Sequence, residues 1–141
     1  MSHLPTLEAL AADLDAGRGS AQALTEAALA RAQDPAGEGA RAFTRLDAER
    51  ARAAARASDT LRAVGIVRSP LEGLPVSIKD LFDVAGQVTT AGSVVLKNAE
   101  PARRNAAVVD RLIAAGAVIV GRTNMTEFAF SGVGLNPHHG T

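Results

Sequence analysis

The chain has no cysteine, and that one absence removes disulfides, thiolate catalysis and Cys-ligated zinc together. It also has no tyrosine or tryptophan, and its 4 phenylalanines leave little on which nucleic-acid bases could stack. Charge of one sign is not in excess: 15 Lys+Arg against 15 Asp+Glu give a formal net charge of zero. Such a balance does not suit a polyanionic partner, so nucleic-acid binding is not expected. Long hydrophobic runs are missing as well. The start, Met-Ser-His-Leu-Pro-Thr-Leu-Glu, has no basic region followed by an apolar core, and the longest apolar stretch, Ala114 to Val120 with Gly116 inside it, is far too short to span a bilayer. A soluble, cytoplasmic protein with no membrane partner is the expectation by elimination.

Two further absences concern ligands. No Gly-x-x-x-x-Gly-Lys phosphate loop occurs, and Gly132-Val-Gly134 is followed by proline and histidine where a dinucleotide-binding helix would have to begin. His138 and His139 are adjacent, and neighbours in an extended stretch point opposite ways, with only His3 elsewhere. No metal is expected, and the pair reads as a polar loop.

What the chain does hold is the composition of a folded domain, 47% apolar and 21% charged. Its first half reads as helical. Thr6 precedes Leu7, Leu10, Ala11 and Leu14 at helical spacing, and Gly17-Arg-Gly19 stops the pattern. Ser20 caps a second helix that ends before Asp34-Pro35. A short strand is expected over 42–46, and Asp47 reads as the N-cap of an alanine-rich helix to about Val64. The arginines at 45, 50, 52, 56 and 62, partly balanced by Asp47, Glu49 and Asp59, read as a solvated face.

The second half reads as α/β. Asn105 starts a helix with Val108, Val109, Leu112 and Ile113 on one side, Gly116 ends it, and 117–121 is a wholly apolar run of the kind covered on both faces of a sheet. Asn124 with Glu127 three residues later has the form of a capping box opening another short helix. Helix, buried strand and helix beside a strand near 75–80 make an α/β sandwich with mixed strands.

Chemistry concentrates in Leu74-Pro-Val-Ser-Ile-Lys-Asp80. Alternation puts Val76 and Ile78 on one face and Ser77 and Lys79 on the other, with the ammonium at the tip of an apolar strand. Two readings stand side by side. In one, Lys79 and Asp80 form a pair closing the strand at a solvated turn. In the other, Lys79 is sheltered enough to be neutral, and a neutral lysine is a base, a state no arginine could reach.

The wider context bears on that choice. Pro70-Leu-Glu-Gly-Leu-Pro-Val-Ser-Ile-Lys-Asp-Leu-Phe-Asp-Val-Ala-Gly86, then Thr89-Thr-Ala-Gly-Ser93, then Ala114-Ala-Gly-Ala-Val-Ile-Val-Gly-Arg-Thr-Asn-Met-Thr-Glu-Phe-Ala-Phe130, then Gly134-Leu-Asn-Pro-His-His-Gly140 resemble the amidase signature family in order and spacing. Residues 70 to 141 carry the close resemblance; the helical part, with Leu-Ala-Ala-Asp-Leu-Asp-Ala-Gly17 and Ala-Leu-Ala-Arg31, is similar more loosely.

The resemblance implies the N-terminal portion of an α/β/α fold with a mixed sheet covered by helices: 1–66 mainly helical, and 67–141 holding the catalytic-lysine strand. It implies hydrolysis of a small-molecule amide, with no metal or organic cofactor. One serine attacks the carbonyl, a second with a cis peptide bond relays the proton, and an unprotonated lysine, here Lys79, accepts it. It also sets residues 123–131 along the substrate channel, with Ala129 near the scissile carbonyl, and Thr90 to Ser93 near the active-site wall. Apart from Ala129, the 123–131 turn has an equally good structural reading, with Phe128 and Phe130 in the core.

The family's serines lie in a Gly-Gly-Ser-Ser-Gly-Gly-Ser type of run beyond the Asn-Pro-His-His-Gly block, and residues 1–141 contain no such run. Ser131 comes nearest, in Phe130-Ser-Gly-Val-Gly134, but lacks the preceding glycine of a nucleophile elbow and reads as a loop serine satisfied by backbone. The expectation is an amidase fragment that holds the base without the nucleophile and is inactive alone. Alternatives are a silent truncated interaction module, or the glutaminase component of an aminoacyl-tRNA amidotransferase. Strands such as 117–121 are expected to lack neighbours, leaving exposed edges prone to self-association.

Overall fold

A computed structural model describes residues 4–140. The first two helices are α1, Leu7–Asp15, and α2, Ala21–Gln33. Both open as their sequences dictate: the Thr6 hydroxyl accepts from the Ala9 N–H at 3.1 Å and the Ser20 hydroxyl from the Ala23 N–H at 3.0 Å. A short α3, Gly39–Ala42, leads into β1, Phe43–Leu46, and then α4 runs from Ala48 to Ala63. Strand β2 is Pro75–Lys79, α5 is Ala107–Ala114, and β3 is Val118–Thr123.

The sheet has the order β1-β3-β2, with β1 antiparallel and β2 parallel to β3. Helices cover both faces. Val118 and Val120 of β3 enter a core with Ala21 and Leu29 of α2 and Ala51 and Ala55 of α4. On the opposite face Ile119 joins Ile78, Val84 and Val109 of α5. This is the α/β fragment expected, and the mixed sheet follows from its connections. The long helical crossover through α5 returns β3 parallel to β2, whereas β1 arrives from the other side.

Four local expectations need correction. Residues 117–121 do not form an edge: β3 is the central strand, paired on both sides, and the outer strands among the described residues are β1 and β2. Asp47 makes no side-chain cap; its carboxylate bonds Arg45 Nε at 2.7 Å and Gln87 Nε2 at 2.6 Å, tying α4 to the segment after β2. Helix α5 starts at Ala107, because Asn105 spends its carboxamide on the Ala85 N–H at 2.7 Å and on Asp110 at 2.8 Å. The arginine face is only partly solvated: Arg62 reaches the Glu72 carbonyl at 2.7 Å and Asp15 at 2.6 Å. Its balancing Asp59 accepts the N–H groups of Ala21 and Gln22, at 2.7 and 3.1 Å, at the start of α2.

No helix among the described residues is long and apolar enough to cross a membrane.

Candidate active site

Strand β2 ends by delivering Lys79 to the rim of a cleft of about 270 Å³. The facing wall is the 124–134 segment, which contributes Asn124, Thr126, Ala129 and Ser131 among others. Alternation along β2 explains the placement: Ile78 is buried in the α5 core, so Lys79 must point away from it. Ser77, on the same side, is exposed like Lys79.

The shelter that one of the two readings of Lys79 requires is not found among the described residues. Lys79 is exposed, and no hydrogen bond or ion pair among them holds its ammonium. Nor does it pair with Asp80. The Asp80 carboxylate is buried and takes Arg122 Nη2 instead, at 2.8 Å, with both side chains almost fully enclosed. Thr90 donates its hydroxyl to the same carboxylate, its N–H approaches at 3.4 Å, and Thr89 Oγ1 lies 3.4 Å from Arg122 Nη2. Sequence reasoning missed Arg122 because it sits where an apolar strand ends, and nothing local tells that a charge there turns inward to meet Asp80 from the parallel neighbour.

The opposite wall is a strained turn, not the helix that the capping-box pattern suggested. Glu127–Ala129 makes a single 3-10 turn in which Phe128 and Ala129 are both left-handed, at φ of 52° and 56°. Side chains other than glycine rarely adopt this region, so the surroundings must impose it. They do so through named bonds: Phe128 N–H donates to the Ala91 carbonyl at 2.9 Å and Ala129 N–H to the Thr126 carbonyl at 2.9 Å. Asn124 does not cap: its Oδ1 accepts the adjacent Met125 N–H at 2.8 Å, and its amide donates to the Arg41 and Gly140 carbonyls at 3.0 Å each. Phe128 and Phe130 are not core residues; Phe130 is 93% exposed.

Glu127, the other half of the supposed box, accepts the Ser93 hydroxyl at 2.6 Å and faces His138 Nε2 at 3.1 Å. The Ser93 hydroxyl and then His138 hold its carboxyl below the usual range. The histidine pair is thus a loop feature, with His138 on a carboxylate. Gly92, at φ of 67°, turns the chain between Thr90 and Ser93 as expected. Ser131 Oγ accepts the Val133 N–H at 3.2 Å, the backbone-satisfied role read from the sequence, although it shares the cleft with Lys79.

Known proteins agree with this architecture. The Amidase family model matches residues 23–141, and the chain belongs to that family. Over 124 residues it is 48% identical to AtzE, a 1-carboxybiuret hydrolase component of Pseudomonas sp. (strain ADP), covering 88% of this chain and 27% of that protein. Over 110 residues it is 53% identical to GatA, the glutamyl-tRNA(Gln) amidotransferase component of Anaeromyxobacter sp. (strain K), covering 78% and 22%. A solved structure described as a vestigial protein complex revealing the origins of an s-triazine catabolic enzyme superposes with a TM-score of 0.88 at 44% identity, over 97% of this chain and 30% of that one. The native peptide amidase of Stenotrophomonas maltophilia gives 0.81 at 34%, over 95% and 28%. The chain therefore spans about a quarter of the length of the relatives it matches.

Proposed function

We propose that these residues supply the lysine base of an amidase acting through a Ser–cis-Ser–Lys relay, with Lys79 as the base and Ala129 beside the scissile carbonyl. The observation that carries the reading is the position of Lys79, at the end of β2 across one cleft from the 124–134 turn, in a chain of the Amidase family. The chemistry asks for one thing more. A serine hydroxyl becomes a nucleophile only when its proton can leave, and an amine accepts that proton only when uncharged. The relay therefore needs a segment that covers Lys79 and carries the two serines.

In this reading the 141-residue chain alone is silent. With the serine-bearing segment present, the nucleophilic serine forms an acyl-enzyme, the amine or ammonia leaves, and water deacylates. The substrate is a small amide met in the cytoplasm, and neither metal nor organic cofactor enters a step. The outer edge of β2, unpaired among the described residues, is where self-association of the isolated chain would occur.

A second reading, glutamine hydrolysis as the GatA component of a tRNA amidotransferase, is favoured by the 53% identity to that protein. Assaying simple amides and glutamine side by side separates the two. The isolated chain should turn over neither. In the serine-bearing enzyme, Lys79→Ala should lower kcat by at least about 10³-fold. Undiminished turnover in that variant would remove Lys79 from the mechanism, and turnover by the isolated chain that dies with Lys79→Ala would overturn the need for outside serines.

A further inference from the structure

The Asp80–Arg122 pair is a charge pair that the proposed chemistry does not use, placed one residue from the proposed base. We infer that Arg122 and Thr90 are positioning residues: through Asp80 they lock the end of β2, and with it Lys79, against the turn that carries Ala129.

Each link is a specific contact. Arg122 is 1% exposed, and its Nη2 meets Asp80 Oδ1 at 2.8 Å, while its Nε and Nη1 have no partner among the described residues. A guanidinium enclosed this way is held by the carboxylate it faces, since an unpaired buried charge is strongly unfavourable. The Asp80 backbone is fixed too: its N–H donates to the Thr123 carbonyl at 3.1 Å and its carbonyl accepts the Ala91 N–H at 2.8 Å. Ala91 then passes the constraint across the cleft, because its own carbonyl accepts the Phe128 N–H at 2.9 Å, beside left-handed Ala129. Ala91 is itself left-handed, at φ of 51°. One buried pair thus fixes both walls of the cleft, Lys79 through its neighbour and Ala129 through the 89–91 turn. Proton transfer demands hydrogen-bond reach, and displacement by about 1 Å can lower a rate about 10²-fold.

The proposal rests on the amidase reading for its catalytic purpose, but the positioning itself is measurable without turnover. With uniform 15N labelling, the amides of Asp80 and Phe128, bonded to the Thr123 and Ala91 carbonyls, report on the two walls, and the Ala51 amide in α4, bonded to the Asp47 carbonyl, is the remote internal reference. Thr90→Val keeps the ion pair and removes one hydroxyl bond; Thr90→Ser restores the hydroxyl. In the full chain, Thr90→Val and Arg122→Lys should speed Asp80 and Phe128 amide exchange at least about tenfold with Ala51 unchanged, and Thr90→Ser should return both to within about twofold of the parent. Exchange at Asp80 and Phe128 that stays within twofold in folded Thr90→Val and Arg122→Lys proteins would overturn the proposal.

In the serine-bearing enzyme, Thr90→Val should lower kcat about 10²-fold with KM within about twofold. It should cause no further loss in a Lys79→Ala background assayed with methylamine as a substitute base. A full additional loss in that background would show that Thr90 does not act through Lys79 and would overturn the inference. Undiminished turnover in Lys79→Ala alone would instead sink the amidase reading, leaving the exchange result to decide the positioning.

Discussion

Gly116 and Glu72 compete for one space. A Cβ on Gly116 would lie 2.6 Å from Glu72 Cδ, and the glycine holds φ at 89°, a conformation other residues rarely adopt. Glu72 is fully buried where α5 turns toward β3, and Arg68 grips it from both sides, Nη2 to Oε1 at 2.7 Å and Nε to Oε2 at 2.5 Å. The Gly73 N–H donates to the Gly116 carbonyl at 2.9 Å, so the entry to β2 and the entry to β3 are built around this one carboxylate.

Gly116→Ala should therefore destabilise more than an ordinary turn substitution. Left-handed strain alone is about 1–2 kcal/mol, and displacement of the buried carboxylate from Arg68 adds to it. A loss of at least about 3 kcal/mol in urea unfolding is expected. A change below about 1 kcal/mol would mean that Glu72 can move aside freely.

The same carboxylate sets an acid limit. Burial pushes the Glu72 carboxyl up, but the Arg68 guanidinium and backbone N–H outweigh it and hold the group below the ordinary 4.5. A carboxyl depressed in the folded state contributes stability that is complete above the unfolded value and disappears as pH falls through the folded one. Urea midpoints should be flat from about pH 7 to about 5 and fall below 4.5. Glu72→Gln should lower stability at neutral pH and weaken the acid dependence, so that the two proteins converge in acid; parallel pH curves would assign the effect to other groups.

How far the sequence could be read follows from where the deciding interactions lie. Thr6 and Ser20 cap helices by contacts three residues away, so the starts of α1 and α2 are legible in the local pattern. The end of β2 at Lys79 is equally legible, because the alternation of Ile78 and Lys79 and the preceding Pro75 are local. Asp47 and Asn124 have the right residue type for caps, yet their side chains are taken by Gln87 and by Arg41 with Gly140, partners 40 and 83 or 16 positions away. A window along the chain cannot weigh that competition. The true partner of Asp80 was hidden for the same reason: Arg122, not Lys79, closes on it, and only the parallel pairing of β2 with β3 brings them together.

That parallel pairing needs a bare backbone on the other side. A Cβ at Gly121 would overlap the Arg45 carbonyl oxygen and sit 3.1 Å from Leu46 Cα, where β1 crosses β3. Gly121→Ala should push β1 away and weaken the α4 packing behind it, with a loss of about 2–3 kcal/mol. Amide exchange should speed first in residues 43–46, while residues 75–79 keep their protection; uniform loss across all three strands would point to global rather than local damage.

Asn136 tests whether the wall opposite Lys79 is held from behind. Its side chain is 4% exposed and uses all its reach: Nδ2 donates to the Gly92 and Met125 carbonyls at 2.7 Å each, and Oδ1 accepts the N–H groups of His138 and His139 at 2.8 and 3.1 Å. Four bonds from one carboxamide thus join the 92 turn, the 125 turn and the 136–139 loop, while the exposed run from Phe130 to Leu135 is tied back by the Thr126 hydroxyl on the Val133 carbonyl and the Phe130 N–H on the Glu127 carbonyl. Asn136→Ala leaves two buried carbonyls unpaired and should destabilise by about 1–3 kcal/mol. Because those carbonyls belong to the turns beside Ala91 and Thr126, the loss should be local: limited proteolysis should cut between 130 and 136 at least about tenfold faster, with the α2–α4 core unaffected. Asn136→Asp restores the acceptor for the two histidine N–H groups but not the donors, and should cut at nearly the rate of the alanine variant. Parent-like resistance in the aspartate variant would show that the histidine loop, not the pair of turns, is what the residue holds.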